Sequence, residues 1–215
     1  MANHHSDMTT IAAFDFDGTI TKGDSFWRFL FYSNGFFTVF NAGMSKFFLM
    51  LFSIIFPGKF ADKAKEYLIN SLFKDKNVDE MELTASNYAK FLVKNRLKYD
   101  TITRLRHHQL NGHTVVVISA SPAIYIKHAC RILDIRHLLA TNLEISQNKF
   151  TGKFAGTNCR GPEKAKRLKE FSNNFEKPFI YAYGNSKNDE QMLRIADIGI
   201  RVDRTNLATP LRIKI

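Results

Sequence analysis

The sequence predicts an α/β protein with a doubly wound parallel sheet and a helical insertion after the first strand. Short, continuous apolar runs alternate with helix-like segments, which is typical of buried parallel strands covered by helices on both faces. Residues 22–100 break this alternation, because they contain helical patterns and no strand pattern. A length of 215 residues with 45% apolar and 24% charged residues excludes a disordered chain and a multi-span membrane protein.

Four apolar runs predict the strands of the sheet, and three helices are predicted between or before them. The strands are residues 11–14, 115–118, 179–183 and 198–202, and the helices are residues 122–133, 162–171 and 189–196. The first of these helices is expected to have Ser121 as its N-cap and Pro122 at its first position. Residues 138–154 are expected to form two short strands around Asn148, as a hairpin flap.

The insertion at residues 22–100 is expected to form a cap over the functional site. Its clearest helical patterns cover residues 61–73 and 78–97. An insertion directly after the first strand leaves the sheet at its carboxyl edge, where open α/β proteins bind ligands. We therefore predict a core made of residues 1–21 and 101–215, and a cap made of the insertion.

Basic charge is an outlying property of the composition. The chain has 31 Lys and Arg against 20 Asp and Glu, a formal net charge of +11, which favours anionic partners such as lipid surfaces, nucleic acids or metabolites. Cys130 and Cys159 are too few for a disulfide framework. The first residues contain no basic region followed by a long apolar run, so we expect no secretory signal and a cytoplasmic location.

The segment Asp15-Phe16-Asp17-Gly18-Thr19 lies where the first strand gives way to a loop. Two carboxylates two positions apart on extended backbone point the same way, and a cation relieves the repulsion between them. Oxygen ligands of this kind suit Mg²⁺. Alternatively, one carboxylate is a nucleophile and the other keeps a proton for acid–base work. Such a motif also occurs in ordinary turns, but its position after a strand favours catalysis.

A candidate phosphate site follows the second strand. The hydroxyl of Ser119 and the amides of Ala120 and Ser121 are placed to hold a phosphate oxygen, and the next helix adds its dipole. The alternative is that Ser119 only terminates the strand. Lys164 lies in the first turn of a helix, where a lysine is electrostatically unfavourable unless an anion is near. Spacing alone nevertheless favours a solvated basic helix face for Lys164.

Asn185 and Asp189 are candidate metal ligands. They follow the third predicted strand in the segment GNSKND, and both supply side-chain oxygens. Four residues is about one helical turn, so both side chains can approach the same ion.

Four motifs in this order resemble those of the haloacid dehalogenase superfamily of phosphatases: DFDGT, Ser119 after a β-branched strand, Lys164, and GNSKND. The insertion resembles a type 1 cap, as in the phosphoserine-phosphatase-like branch. The strings SASP and GPEK and the Phe-rich cap are most similar to subfamily IB hydrolases, which include phosphatidylglycerophosphatase C-type enzymes. The resemblance spans residues 15–189, and it implies a Rossmann-like core and Mg²⁺-dependent hydrolysis of a phosphomonoester.

The resemblance implies a role for each matched residue. Asp15 would attack phosphorus to form an aspartyl-phosphate, and Asp17 would protonate the leaving oxygen and then activate water. Mg²⁺ would be held by Asp15, the Asp17 carbonyl and the loop with Asn185 and Asp189. Thr19 would also orient the catalytic loop. The phosphate-binding residues implied are Thr19, Ser119, Ala120, Lys164 and Asn188.

Asn185 departs from the superfamily pattern, which commonly has aspartate at the first acidic position of the last motif. An amide oxygen coordinates Mg²⁺ but brings no charge. We therefore expect weaker metal binding, compensated by Asp189, and no loss of activity.

Phenylalanine is concentrated in the predicted cap. Residues 26–60 contain 11 of the 20 phenylalanines, and residues 29–56 contain a single charged residue, Lys46. The apolar run at residues 47–56 is shorter than the ~20 residues needed to span a bilayer. Three alternatives remain for residues 36–56 and their neighbours: helices that pack on one another, an interfacial segment that holds the protein at the inner face of an anionic membrane, or, as the least favoured, a membrane span.

The apolar cap and the basic exterior favour a phosphorylated lipid headgroup as substrate, and the resemblance points to phosphatidylglycerophosphate. The alternative is a small soluble phosphomonoester such as phosphoserine. Asp24 and Arg28 could bind the amine and the carboxylate of that substrate, although a surface salt bridge is the favoured interpretation of the pair. We expect no nucleic-acid partner, because the basic residues between 94 and 108 are separate in sequence from the phenylalanines.

Overall fold

The structure is a computed structural model that describes residues 9–46, 59–202 and 207–213. Its strands are β1 (Thr10–Phe14), β2 (Thr114–Pro122), β3 (His137–Thr141), β4 (Leu143–Ser146), β5 (Lys149–Phe154), β6 (Phe179–Gly184), β7 (Ile198–Val202) and β8 (Leu207–Ile213). Six of them form one sheet in the order β3-β2-β1-β6-β7-β8. All neighbours in this sheet are parallel except the edge strand β8, which is antiparallel to β7.

The helices lie between the strands and in the insertion. They are α1 (Ser25–Asn34), α2 (Phe36–Met44), α3 (Lys59–Phe73), α4 (Val78–Asn95), α5 (Tyr99–Leu110), α6 (Ala123–Ile132), α7 (Pro162–Ser172) and α8 (Glu190–Ile195). The first four follow β1 directly and form the described part of the insertion. The helices predicted at residues 61–73, 78–97, 162–171 and 189–196 are thereby confirmed to within a few residues.

Alternation of side chains along β1 explains why helices cover both faces of the sheet. Ala12 and Phe14 are buried in one core cluster, which also contains Leu105 of α5. Ile11 and Ala13 are buried in a second cluster on the other face. Because neither face of the strand meets water at residues 11–14, all four of these positions are apolar, and the predicted doubly wound α/β fold is confirmed.

The prediction of one hairpin over residues 138–154 is wrong in its first part. Residues 138–141 belong to β3, which pairs in parallel with β2, Val117 opposite Leu138. The hairpin consists only of β4 and β5 and turns at Gln147 and Asn148, both with positive φ. Apolar residues occur both in β3 and in the two hairpin strands, so the sequence pattern alone did not separate the sheet strand from the flap.

The predicted start of α6 is also wrong. The helix begins at Ala123, and Pro122 rather than Ser121 occupies the N-cap position. The Ser121 hydroxyl instead donates to Asp17 Oδ2 at 2.6 Å. The hydroxyl that the local pattern assigned to helix capping therefore forms a long-range hydrogen bond with Asp17 instead.

The insertion leaves and rejoins the core through two linkers that pair with each other. Thr21 and Leu97 form an antiparallel bridge. Lys98 N–H donates to the carbonyl of Ile20 at 2.9 Å, next to this bridge. The pairing supports the division into core and cap, which stays a prediction, and it places the return to the core a few residues before position 100.

The phenylalanine-rich segment is described only in part. Residues 47–58, with the apolar run proposed for membrane contact, lie outside the described residues. Among those described, Phe36, Phe37 and Phe40 of α2 are 62%, 79% and 52% exposed. In the described part of the chain, no helix has both the length and the apolar character needed to cross a membrane.

His108 of α5 gives the fold a predictable dependence on pH. Its imidazole is buried and hydrogen-bonds to Tyr183 Oη at 2.8 Å and to His113 Nδ1 at 2.7 Å. Burial, reinforced by His113, lowers the pKa of His108 to about 4. The unfolded chain, with a histidine pKa near 6.5, therefore binds the proton more readily, and stability is lost as pH falls below about 6.5.

We expect the free energy of unfolding to fall by about 2 kcal/mol between pH 7 and pH 5 through this one group. Urea unfolding at the two pH values measures the change in wild type and in His108→Gln, which should lose about 2 kcal/mol less. The exposed His107 on the same helix provides the control, since His107→Gln should behave like wild type. Equal pH dependence in all three proteins would contradict the assignment.

Candidate active site

A cavity of about 450 Å³ opens at the carboxyl ends of β1, β2 and β6, between the core and the cap. Its core wall includes Asp15, Asp17, Gly18, Ala120, Ser121, Asn158, Arg160, Lys164, Asn185, Ser186 and Asn188, and its cap wall includes Asp24, Phe26, Trp27, Asp62, Lys65 and Leu68. Three strands end side by side here because β1 lies between β2 and β6 in the sheet. The fold thus brings together residues that are up to 173 positions apart, Asp15 and Asn188.

Asp15 is buried at the end of β1, with both carboxylate oxygens engaged. Oδ2 accepts a hydrogen bond from Thr19 Oγ1 at 2.8 Å, and Oδ1 accepts one from Lys164 Nζ at 2.5 Å. The same Nζ lies 2.5 Å from Asp189 Oδ1. Lys164 is only 3% exposed, so it belongs to the site and not to the solvated basic face that spacing alone favoured.

The charges around Asp15 leave an excess of negative potential. Burial, Asp189 and Asp17 together raise the pKa of Asp15 to about 7, although Lys164 acts in the opposite direction. Burial also disfavours the charge on Lys164, but Asp15 and Asp189 outweigh this effect and raise its pKa. One lysine therefore does not neutralise three neighbouring carboxylates, and an additional cation would stabilise the ionised form of Asp15.

Asp17 is held between the core and the cap. Oδ1 accepts a hydrogen bond from the backbone N–H of Ser25, the first residue of α1, at 2.6 Å. Oδ2 accepts one from the hydroxyl of Ser121, at the end of β2. Ser25 was not among the predicted site residues, and Ser121 was predicted only as a backbone donor to phosphate, because no local pattern links either side chain to position 17.

Gly18 is required by close packing against the last motif. Its φ is +76°, and a Cβ at this position would lie 2.2 Å from Asn185 Nδ2. Asn185 Oδ1 lies 3.4 Å from Thr19 Oγ1. The amide of Asn185 is thus positioned against the catalytic loop itself.

The last residues of β2 only partly match their predicted role. Regular pairing of β2 with β3 stops at Ser119, and the register shifts before Pro122. Ser119 is fully buried behind the cavity wall, and its Oγ accepts the N–H of Ser121 at 3.0 Å. Ala120 and Ser121 form the wall that faces the cavity.

Asp189 lies behind the wall and organises the loop after β6. Its Oδ2 accepts the N–H groups of Asn185 and Ser186 at 3.1 and 2.9 Å and the Ser186 hydroxyl at 2.7 Å. Lys164 is bonded to its other oxygen, and Asp189, unlike Asp15 and Asp17, is fully buried and does not line the cavity. Asp189 thus holds Asn185 and Lys164 in place, a geometry that favours a positioning role over direct metal ligation. Asn188, by contrast, faces the cavity.

The donors that face the cavity fit a magnesium ion. Asp15, Asp17 and Asn185 all supply oxygen, and Mg²⁺ is commonly held by one or two carboxylates together with water and substrate phosphate. Among the described residues, no cluster of three or more Asp, Glu, His or Cys side chains is arranged for a metal. The amide of Asn185 lines the same cavity and can supply a further protein oxygen.

Comparison with known proteins agrees with the fold and the motifs. The family model of haloacid dehalogenase-like hydrolases matches residues 12–194. Protein CicA of Caulobacter vibrioides is 30% identical over 188 residues, which cover 87% of this chain and 83% of CicA. A probable phosphatase of Mycobacterium tuberculosis is 35% identical over 88 residues, covering 40% of this chain and 30% of that protein.

Solved structures share the fold at low sequence identity. A protein of unknown function from Bordetella pertussis Tohama I superimposes with a TM-score of 0.70 at 19% identity, covering 87% of each chain. A probable phosphoserine phosphatase from Vibrio cholerae gives a TM-score of 0.67 at 17% identity, covering 89% of this chain and 55% of that one. Since the family model matches most of the sequence and the fold agrees, the chain belongs to the haloacid dehalogenase-like hydrolase family.

Proposed function

We propose that this hydrolase cleaves phosphomonoesters through an aspartyl-phosphate on Asp15, with Mg²⁺ as cofactor and a phosphorylated lipid headgroup as substrate. The observation that carries the proposal is a buried Asp15, anchored by Thr19 and Lys164, that faces the same cavity as Asp17. The coarser statement needs no proposal: the chain is a phosphatase, in keeping with its family and with the probable phosphatase of Mycobacterium tuberculosis that part of it matches.

In the first step, a carboxylate oxygen of Asp15 attacks phosphorus, and the bond from phosphorus to the ester oxygen breaks. Asp17 donates a proton to the departing oxygen, so that an alcohol leaves. Lys164 remains beside Asp15 and offsets the negative charge that gathers on the phosphoryl group. The hydrogen bonds from Ser25 and Ser121 orient Asp17 for this proton transfer.

In the second step, Asp17, now ionised, removes a proton from a water molecule that attacks the phosphorus. The bond to Asp15 breaks, phosphate leaves, and both aspartates return to their starting states. Phosphate oxygens would be held by Lys164, Asn188 and the loop at Ala120, with Ser119 and Thr19 supporting these segments from behind.

Asp15, the Asp17 carbonyl and Asn185 would hold Mg²⁺, which when bound supplies positive charge beside the transferring phosphoryl group.

We expect Asn185→Asp to lower the Mg²⁺ concentration for half-maximal phosphate release by about 3- to 10-fold, because a carboxylate adds charge to the donor set. Titration of Mg²⁺ in assays on an aryl phosphate measures this change. Asn174→Asp, an exposed substitution of the same kind, is the control. An unchanged Mg²⁺ requirement in Asn185→Asp would remove Asn185 from the proposed ligands.

The proposed lipid substrate is supported by an apolar surface that continues from the cavity. Trp27 lines both the catalytic cavity and a second cavity of about 240 Å³, formed with Phe31, Phe36, Val39, Phe40, Gly43 and Met44. Exposed aromatic side chains next to a polar active site are suited to acyl chains or to the interface of a membrane. The net charge of +11 would favour an anionic surface.

Phosphoserine and other small soluble esters are the second candidate. The solved structures that share this fold include phosphoserine phosphatases, which at 15–18% identity supports the fold alone. Asp24 lines the cavity but also caps α1, where its Oδ1 accepts the N–H of Trp27 at 3.1 Å. This cap gives Asp24 a structural role that needs no bound amine.

A phosphate-release screen tests the proposal. Phosphatidylglycerophosphate in mixed micelles is compared with phosphoserine and an aryl phosphate, each with Mg²⁺ and with a chelator. The highest kcat/KM is expected for the lipid, with all activity lost in the chelator. A preference for phosphoserine would replace the lipid proposal by the soluble one, and sedimentation with anionic vesicles measures membrane association independently of turnover.

A further inference from the structure

Lys65 carries a charge into the catalytic cavity from the cap side. It lies on α3, and its ammonium donates to the carbonyl of Ala120 and, at 3.3 Å, to Asn158 Oδ1. Ala120 lies near the end of β2, beside the proposed phosphate position. A residue of the cap thereby reaches the core at the edge of the reaction centre.

The hydrogen-bond partners of Lys65 are neutral. Asp62, one turn earlier on α3, is bonded instead to Asn158 Nδ2 at 2.6 Å and to Arg160 at 3.4 Å. Among the described residues, no carboxylate forms an ion pair with Lys65 within 4.0 Å. Burial lowers the pKa of Lys65 to about 8, although Asp17, Asp24 and Asp62 act in the opposite direction.

The surroundings of this ammonium are partly aromatic. Its Nζ lies 5.1 Å from the ring centre of Phe26 and 5.8 Å from that of Phe154. Rings at this distance stabilise a cation and withhold water from it. A partly buried lysine whose hydrogen-bond partners are neutral is well prepared for an anionic ligand, since a ligand carboxylate or phosphate would supply a directly bonded counter-charge.

The transferring phosphoryl group already has a lysine on the core side, Lys164. We propose that Lys65 determines specificity by binding a second anionic group, a carboxylate or a phosphodiester, on the leaving-group side of the phosphomonoester. The inference rests on the proposed function for the identity of the first anionic group. The inference goes beyond the proposed function in two respects. It assigns the substrate a second anionic group, and it names Lys65 as the residue that recognises this group.

The test compares wild type with Lys65→Met on three esters in full-length protein. The aryl phosphate has no second anionic group, phosphoserine has a carboxylate, and phosphatidylglycerophosphate has a phosphodiester. For the doubly anionic ester that wild type prefers, kcat/KM is expected to fall about 10- to 100-fold, mainly through KM, while the aryl phosphate changes less than about 3-fold. Lys65→Arg should recover part of the loss. The exposed Lys63 on the same helix supplies the control, Lys63→Met, which should match wild type.

Equal losses on all three esters would overturn the inference, because Lys65 would then act on the phosphoryl group or on the position of the cap. No loss on any ester would overturn it as well. Should wild type hydrolyse none of the three, the proposed function fails, and calorimetric titration of the same esters into wild type and Lys65→Met decides the inference separately. Binding of the two doubly anionic esters that depends on Lys65 supports it, and the absence of such binding overturns it.

Discussion

Asp15→Asn is expected to reduce phosphomonoester hydrolysis by roughly 10⁴- to 10⁶-fold, the range found when the nucleophile of a covalent mechanism is removed. An amide is a poor nucleophile, and it also loses the charge that Lys164 neutralises at 2.5 Å. Phosphate release from an aryl phosphate at saturating Mg²⁺ measures the loss. Acid-quenched reactions with labelled substrate should show covalent label in wild type and none in the variant.

Asp24→Asn is a matched control for this experiment. Asp24 also lines the cavity, but asparagine caps a helix as well as aspartate does, so α1 should be retained. Activity of Asp24→Asn on the aryl phosphate should stay within a few-fold of wild type. Substantial hydrolysis by Asp15→Asn, in protein whose circular dichroism matches wild type, would remove Asp15 from the role of nucleophile.

Lys164→Met is expected to impair both catalysis and stability. The buried ammonium bridges Asp15 and Asp189, and its removal leaves two buried carboxylates without their shared counter-charge. Breaking a buried ion pair from one side typically lowers the free energy of unfolding by about 3–5 kcal/mol. Urea unfolding with a chelator present measures this loss, and kcat on the aryl phosphate should fall by roughly 10²- to 10³-fold.

Lys166→Met on the same helix separates this effect from the general loss of a basic residue. Lys166 is exposed, and it lies 4.0 Å from Glu170 in a surface pair, so its replacement should change stability by less than about 0.5 kcal/mol. If Lys164→Met is as stable and as active as Lys166→Met, the bridge between Asp15 and Asp189 contributes nothing measurable, and the electrostatic description of the site is wrong.

Most strands of the sheet were predictable because each is a short, continuous apolar run that can be recognised from its own residues. The β-branched run at residues 115–118 and the apolar run at 11–14 are buried on both faces, so composition alone identifies them. Strand β8 was not predicted. It is an antiparallel edge strand that contains Pro210. Proline has no backbone N–H to donate, and an edge strand tolerates this because one of its sides has no neighbouring strand to bond.

The location of the site could be predicted from the sequence, but most contacts between its side chains could not. Asp15 and Asp17 share one short segment, whereas the partners of Lys164 lie 149 and 25 residues away. Spacing alone therefore could not separate Lys164 from an ordinary basic helix face, and the resemblance to known motifs was needed. Lys65 had no signal of any kind, because its significance depends entirely on the packing of α3 against the loop at Ala120.

The two hydrogen bonds of Asp17, the proposed catalytic acid, link the cap to the core. One bond ends on Ser25, at the start of the first cap helix, and the other on Ser121, at the end of a core strand. An outward displacement of α1 against β2 must lengthen one of these bonds or carry Asp17 away from Asp15. We therefore expect a movement that opens the mouth of the cavity to weaken the hold on Asp17, so that the proposed proton transfer would depend on the position of the cap helix α1.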